Sequence, residues 1–470
     1  MKAIAVAPLL LTLAACAVGP DYRAPATAPV SFVNAGEGLS PAPPEAQWWQ
    51  QFDDAVLDSL VTRALSANLD LRSALARVSE SRALFRDAQL DQLPTISAAA
   101  AHQRSKAQLA GADDVRVETE INQLGFDASW EIDLFGRVRR ATEAARADAE
   151  GAVAGLQDAQ VSVAAEVARN YFELRGAQRQ LEVARRNLGN QAETLRLTQV
   201  RYAVGRSAEL DVASSQARYS ATEAALPLLI TAERRAAHRL AVLLGQRPGA
   251  LDAELTPVQT QPGVHELAIG AGDDLLRRRP DVRLTERNLA AATARIGVAT
   301  ADLFPRLSLS GFVGFISGNV GSLGESATRA WSVAPTLSWA ALDLGSVRAR
   351  IRGSEARAEG ALAAYELAVL RAQEDTENAF VGYRQQQARL ASLTRQAAAS
   401  ARAAELARIQ YREGVIDFLR LLDAESTLLE AEDAVAQAGT AQQLSVVAIY
   451  KALGGGWEAA PAIVASASQR

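Results

Sequence analysis

VARNYFELRGAQRQLEVARRNLGNQAETLRLTQVRYAVG, Val167 to Gly205, decides how this chain is built. Val167, Leu174, Leu181, Leu188, Leu195 and Tyr202 stand seven residues apart. A heptad row held this long predicts a coiled coil, wound left-handed against a neighbouring helix. The pattern predicts a helix from about Arg137 to Tyr202, broken by Gly205. From Gly136 to Gly205 is 69 residues (205 − 136). At about 1.5 Å per residue that is roughly 100 Å of helix. An amphipathic helix lying on a globular core seldom runs far past ~25 residues. The length therefore favours a rod of antiparallel helical hairpins.

The pattern occurs twice. Tyr202-Ala203-Val204-Gly205 recurs as Tyr411-Arg412-Glu413-Gly414, Leu244-Gly245 as Leu453-Gly454, Ser129-Trp130 as Ser338-Trp339, and Gly136 as Gly345. Each pair is 209 apart (411 − 202, 453 − 244, 339 − 130, 345 − 136). Asp70 and Asp281, and Pro94 and Pro305, are 211 apart (281 − 70, 305 − 94). The change of two between Pro94 and Trp130 fits a hairpin loop of different length. Chance among Ala- and Leu-rich helices does not hold one offset across glycines, tryptophans and tyrosines, so the chain is internally duplicated. The second heptad row is Tyr383, Leu390, Ala397, Ala404 and Tyr411, and Gly205 and Gly414 are the expected hairpin ends. The copies span 48–247 and 273–457, with a linker at 248–272 rich in Pro, Gly and Thr.

Each copy follows one plan. A helical run from about Asp54 to Leu93 is stopped by Pro94, and its counterpart from Asp273 to Leu303 by Pro305. Two strand-like runs follow in each: Thr95 to Ser105 and Gln123 to Phe135, then Arg306 to Ser317 and Ala330 to Asp343. The long helix and a return helix complete the copy. Leu307, Leu309, Gly311, Val313 and Phe315 alternate with Ser308, Ser310, Phe312 and Gly314. About 10 residues suits a tilted membrane strand, and Trp130, Trp331 and Trp339 suit membrane interfaces. A small soluble four-stranded sheet is the other reading of these runs. In lipid, four strands cannot close a barrel, and an open sheet leaves backbone groups unpaired. Several chains must then pool their strands. Two chains make eight, filled by side chains; three make twelve, wide enough for a pore.

Composition agrees with long, closely packed helices: 49 % hydrophobic residues but only 5 % aromatic. A net charge of −5 leaves no basic footprint for nucleic acid. No stretch reaches the ~18 apolar residues of a spanning helix, so membrane contact must come from strands or from a lipid. The N-terminus supplies the second. Lys2, an apolar run from Ile4 to Leu13, and Ala14-Ala15 read as a signal peptide over 1–15. Leu13-Ala14-Ala15-Cys16 fits the bacterial lipobox, and Cys16 is the only cysteine. Its expected modification is a diacylglyceryl and N-acyl anchor. Residues 16–47 read as an extended tether and 458–470 as a flexible tail. His102, His238 and His265 show no ligand spacing. The run Gly454 to Gly456 ends a helix instead of opening one, as phosphate binding needs. No enzyme, cofactor or metal site is expected.

Taken together the residues resemble the TolC-like outer-membrane efflux factors, in particular the lipidated NodT/OprM-type channels. The resemblance rests on Cys16 to Tyr22, Trp48-Trp49, Arg279-Pro280-Asp281-Val282, Phe304-Pro305, Tyr411 to Gly414 leading to Leu421-Leu422-Asp423-Ala424-Glu425, and Tyr450 to Trp457. It implies a mainly α fold with a membrane β-barrel part: a homotrimer with a 12-stranded barrel shared by three chains and an α-barrel of long antiparallel helices. It implies an outer-membrane location, sorted there because Ala17 follows the cysteine. It implies passive export, with a periplasmic adaptor (membrane fusion) protein and an inner-membrane pump of the resistance-nodulation-division (RND) class as partners. The tunnel of such channels narrows at its periplasmic tip, at positions matching Leu419 and Asp423. Tyr411, and Tyr202 with Asp211, match residues whose hydrogen bonds hold that tip. Arg420 stands where some relatives carry a second acid, within pairing reach of Asp423. The competing reading is a lipid-anchored coiled-coil adaptor or spacer without a pore. Adaptors carry one hairpin between compact β-domains, whereas this chain is duplicated and dominated by helices.

Overall fold

The computed structural model describes residues 17–26, 31–36, 38–108, 116–257 and 266–459. The signal peptide, Cys16, His265 and all but the first two residues of the tail lie outside the described residues. The first copy contains α1 (Ala55–Ala67), α2 (Leu69–Leu90), β1 (Thr95–Gln108), β2 (Arg116–Ile132), α3 (Arg137–Ala203) and α4 (Glu209–Leu243). The second contains α5 (Gly272–Arg278), α6 (Pro280–Ala301), β3 (Arg306–Ser317), β4 (Arg329–Ser338), α7 (Leu344–Arg412) and α8 (Phe418–Ala452). Among the described residues no helix is long and apolar enough to cross a membrane.

The first helix of each copy is broken where one helix was expected. Buried Asn68 ends α1, and its Oδ1 accepts from the amides of Asp70 and Leu71 at 2.9 and 3.1 Å to start α2. Its Nδ2 donates to the Leu243 carbonyl at 2.8 Å. In the second copy Pro280 is the first residue of α6, a place that does not need its missing N–H. The last strand stops at Ser338, short of the expected Asp343, and β2 begins earlier than Gln123.

Four glycines end four helices in the same way. Gly205, Gly245, Gly414 and Gly454 have φ of 70°, 69°, 76° and 67°. Past Gly205, the Arg206 amide donates to the Arg201 carbonyl at 2.8 Å and the Gly205 amide to Tyr202 at 2.9 Å. Past Gly414, the same pair runs from Val415 to Gln410 and from Gly414 to Tyr411, at 2.8 and 3.1 Å. This double closure satisfies orphan carbonyls and needs a left-handed residue, which is why glycine recurs there.

The chain forms two compact units. The first holds the described residues 17–26 with Arg77–Val153 and Arg283–Leu367. It contains an antiparallel sheet in the order β1-β2-β3-β4, with β1 and β4 as its edges. The register places Ala98, Phe126, Val313 and Trp331 in one row across the sheet, Ile96, Ala128, Gly311 and Val333 in the next, and Ile132, Leu307 and Leu337 in another. Alternation puts Ser97, Asp127, Phe312 and Ser332, Thr95, Ser129, Ser310 and Ala334, and Glu131, Ser308 and Thr336 on the other face, which is mostly polar. The apolar face is uncovered, with Trp331 78 % and Val313 59 % exposed. The Trp130 and Trp339 indoles donate to the Gln92 and Leu303 carbonyls, both at 3.0 Å, so the two copies end their hairpins alike.

The N-terminal residues are pinned to this unit. The Val18 amide donates to the Phe135 carbonyl at 3.0 Å, Arg140 pairs with Asp21 at 2.6 Å, and the Tyr22 hydroxyl donates to Glu286 at 2.9 Å. A Cβ on Gly19 would stand 2.5 Å from the Gly297 Cα, so the chain crosses α6 where only two glycines fit.

The second unit holds Ala28–Ala76, Ala154–Val282 and Ala368–Arg470. Here three of the motifs, Trp48-Trp49, Arg279 to Val282 and Tyr450 to Trp457, converge on one core. Trp48 stacks on Tyr450 with centroids 5.3 Å apart, and Phe52 packs on Phe172 at 4.7 Å. Buried Arg279 donates to the Ala452 carbonyl at 3.0 Å and pairs with Asp281 at 2.6 Å and Asp375 at 3.1 Å. The Trp457 indole donates to the Arg278 carbonyl at 3.3 Å. These motifs pack the ends of α5 and α8 together.

Candidate functional site

The residues expected at the tip lie at the turns that join α3 to α4 and α7 to α8, in the second unit. The second turn is built around an apolar cluster: Ala407, Tyr411, Phe418 and Leu421 are buried, with Leu197 and Ile416 against them. Tyr411 and Phe418 meet edge to face at 5.8 Å. Asp417 caps α8 by accepting from the Arg420 amide at 2.9 Å. The cap fixes where α8 starts and so which side chains face outward. Leu419, 53 % exposed, and exposed Asp423 are four residues apart and share one helical face. Arg420 is also exposed, and no ion pair joins it to Asp423 among the described residues.

The first turn is arranged differently. Asp211 accepts from the Ser207 hydroxyl at 2.6 Å and the Ala208 amide at 3.1 Å, and so caps α4 locally. Tyr202 is 47 % exposed and is not hydrogen-bonded to Asp211 among the described residues. At the 209 offset Leu419 matches Leu210, Arg420 matches Asp211, and Asp423 matches Ser214 (419 − 210, 420 − 211, 423 − 214). The copies share an outward leucine at the turn, but only the second follows it with an outward carboxylate.

One residue here escaped the sequence reading. Arg201 lays its guanidinium over the Tyr411 ring, 4.4 Å from the centroid, and donates to the Tyr411 carbonyl at 3.1 Å. It ties the end of α3 to the end of α7. Nearby, buried Glu425 accepts from Arg408 Nε at 2.8 Å and from the Thr194 hydroxyl at 3.3 Å. At the 209 offset Arg201, Arg408 and Glu425 face Gln410, Gln199 and Gln216 (410 − 201, 408 − 199, 425 − 216). That break in the repeat was the signal available.

The profile of the outer membrane efflux protein family matches residues 60–246 and 271–455. The chain is 32 % identical to outer membrane protein OprJ of Pseudomonas aeruginosa over 462 residues, 97 % of this chain and 96 % of OprJ. Among solved structures, the outer-membrane channel OprN is 50 % identical with a TM-score of 0.91, over 94 % of this chain and 100 % of that one. The open state of the Neisseria gonorrhoeae outer membrane channel MtrE is 32 % identical with a TM-score of 0.84, over 94 % of this chain and 99 % of that one.

Proposed function

The chain belongs to the outer membrane efflux protein family, and we propose that it is the outer-membrane duct of a tripartite efflux system. Three copies pool their strands into a 12-stranded barrel and their long helices into a periplasmic tunnel. An inner-membrane pump of the RND class does the work, a periplasmic adaptor joins pump to duct, and solute passes down the gradient so made. The observation that carries this reading is the sheet: one apolar face, an opposite face that is mostly polar, and two open edges. An unpaired edge in hydrocarbon costs several kcal/mol per backbone group. Pairing β4 of one copy with β1 of the next removes that cost, turns the apolar face to lipid and the polar face to a water-filled bore.

Leu419 and Asp423 are the proposed constriction. Three Asp423 carboxylates meeting on a threefold axis repel one another and attract cations. Arg201 and Tyr411 hold neighbouring hairpins together at that end, with Tyr202, Asp211 and Arg420 around them. Cys16 is the proposed acylation site. The place of its neighbour Ala17 supports this: a Cβ on Gly136 would stand 2.6 Å from the Ala17 Cα, and Gly136 follows β2 by four residues. A lipid one residue upstream would then start beside the end of the sheet, where a bilayer surface is expected.

Conductance of the purified protein in a planar bilayer tests the reading. Discrete, cation-preferring currents are expected. A protein that inserts no channel and runs as a monomer would return the adaptor reading to the front.

A further inference from the structure

The duplication supplies an internal control for the segment that leads from sheet to long helix. Residues 131–143 read EIDLFGRVRRATE; at the 209 offset, residues 340–352 read AALDLGSVRARIR. The first segment balances three arginines against three acids (3 − 3 = 0); the second sets three arginines against one (3 − 1 = +2). In the first, every arginine has its carboxylate: Arg137 with Glu131 at 2.6 Å, Arg139 with Asp133 at 3.3 Å, Arg140 with Glu143 at 2.8 Å. The positions matching those three acids hold Ala340, Leu342 and Arg352.

In the second segment Arg348 keeps the place of Arg139 without its acid, and Arg352 stands where the first copy has the acid Glu143. Arg350 bonds Ser346 at 3.0 Å and approaches Asp302 at 3.7 Å. Arg348 and Arg352 are exposed and make no hydrogen bond or ion pair with any other described residue. They are four apart on α7, on one helical face, where like charges repel. No acid stands in the first turn of α7, whose dipole also disfavours cations. Leu342, which replaces Asp133, is fully exposed, and Trp339 is 54 % exposed. In chain order, the apolar face of β4 is followed by Trp339, then Leu342, then Arg348 and Arg352. That is the order of a bilayer leaflet: hydrocarbon, interface, phosphate.

We propose that Arg348 and Arg352 bind the phosphate of an anionic phospholipid whose acyl chain lies along Leu342 and Trp339. Guanidinium matches phosphate geometry and carries its charge at any physiological pH. The site continues the apolar face of the sheet, and so rests on the reading of that sheet as a barrel wall.

The test uses the full-length protein in nanodiscs of equal phosphatidylglycerol and phosphatidylcholine, with the lipid retained after washing measured by mass spectrometry. Phosphatidylglycerol is expected to be enriched roughly 30-fold, from about 1 kcal/mol for each of the two arginines. Arg348→Gln with Arg352→Gln should bring the ratio to parity, Arg348→Lys with Arg352→Lys should keep most of it, and Arg139→Gln in the first copy should leave it unchanged. Where the double glutamine variant does not insert, each single glutamine variant must lower the ratio. Parity in the unaltered protein, or equal loss in Arg139→Gln, overturns the site. Unchanged enrichment with a fall in oligomer size overturns it too, and assigns the arginines to a neighbouring copy. A protein that conducts but shows parity refutes this site alone; one that never inserts refutes the barrel.

Discussion

Arg201→Ala separates a tip that is merely folded from a tip that is latched. Arg201 belongs to the first copy and Tyr411 to the second, so their contact crosses from one hairpin to the other. The guanidinium sits 4.4 Å from the ring centroid and bonds the Tyr411 carbonyl at 3.1 Å. A cation–π contact of this kind contributes about 1 kcal/mol, and a hydrogen bond from a charged donor about 1.5 kcal/mol. Arg201 is half-exposed, so solvent screening lowers the sum to about 2 kcal/mol. At about 1.4 kcal/mol per factor of ten, the balance between held and separated hairpins moves by about 30-fold. A channel open about 1 % of the time would be open for about a quarter of it. Single-channel recording at fixed voltage and salt reads this directly, with exposed Arg206→Ala as the control. Tyr411→Phe sharpens the test. The Tyr411 hydroxyl has no hydrogen-bond partner among the described residues, so that variant should gate as the unaltered protein does. An Arg201→Ala channel within about twofold of the original open probability, or a Tyr411→Phe channel that opens as Arg201→Ala should, would refute the latch.

Asp423→Ala should raise conductance and weaken block by divalent cations; unchanged values for both would remove Asp423 from the bore. Cys16→Ser should lose the acyl mass and part of its outer-membrane retention, and full retention with normal export would mean the barrel alone suffices. Arg279→Ala removes its pairs with the partly exposed Asp281 and Asp375 and its bond to the Ala452 carbonyl and should cost about 1 kcal/mol, read as a lower unfolding temperature by circular dichroism; an unchanged temperature would show the pairs contribute nothing. Burial, and then the charge of Asp281, raise the Asp158 carboxyl above its ordinary value. The folded protein thus holds this proton more tightly than the unfolded chain, and the group favours folding at low pH and opposes it once pH passes the raised value. Asp158→Asn should therefore raise the unfolding temperature at pH 7 and change it little near pH 3; a gain confined to acid pH would contradict the sign.

What could be read from the sequence follows from the range over which each signal acts. The heptad row and the four helix-ending glycines are local. Each glycine is needed because its own φ is positive, and no distant residue decides it. The break at Asn68 is different. Its cap is completed by the Leu243 carbonyl, 175 positions away, and a pattern read over one helix holds no trace of that partner. Leu419 and Asp423 were singled out by the resemblance, and the structure shows both exposed and four residues apart on α8. Arg201 was not, because its partner is 210 positions away while the repeat is 209. Comparing the copies pairs Arg201 with Gln410 and falls one residue short of Tyr411. The comparison flags a difference; only the packing of α3 against α7 says what the difference touches.

The differences between the copies carry the function as far as the similarities carry the fold. In the proposed trimer, three chains with two like hairpins each would make six hairpins in near-equivalent places. Were the turns identical, the ring would approach sixfold symmetry, and nothing would distinguish the hairpins that move from those that stay. The outward leucine is common to both turns, at Leu210 and Leu419, so it cannot make that distinction. The carboxylate can: Asp423 in one copy faces Ser214 in the other, giving three charges instead of six. The buried pair of Arg408 and Glu425 likewise exists only in the second copy, where it braces α7 against α8. A bore that is charged on alternate hairpins and braced on the same ones can be widened by moving three hairpins as rigid pairs while the other three hold the wall. Replacing Ser214 with aspartate places a second ring of charge on the first-copy hairpins. If those hairpins line the wall but not the constriction, cation block should be unaltered; stronger block would mean that both turns reach the axis.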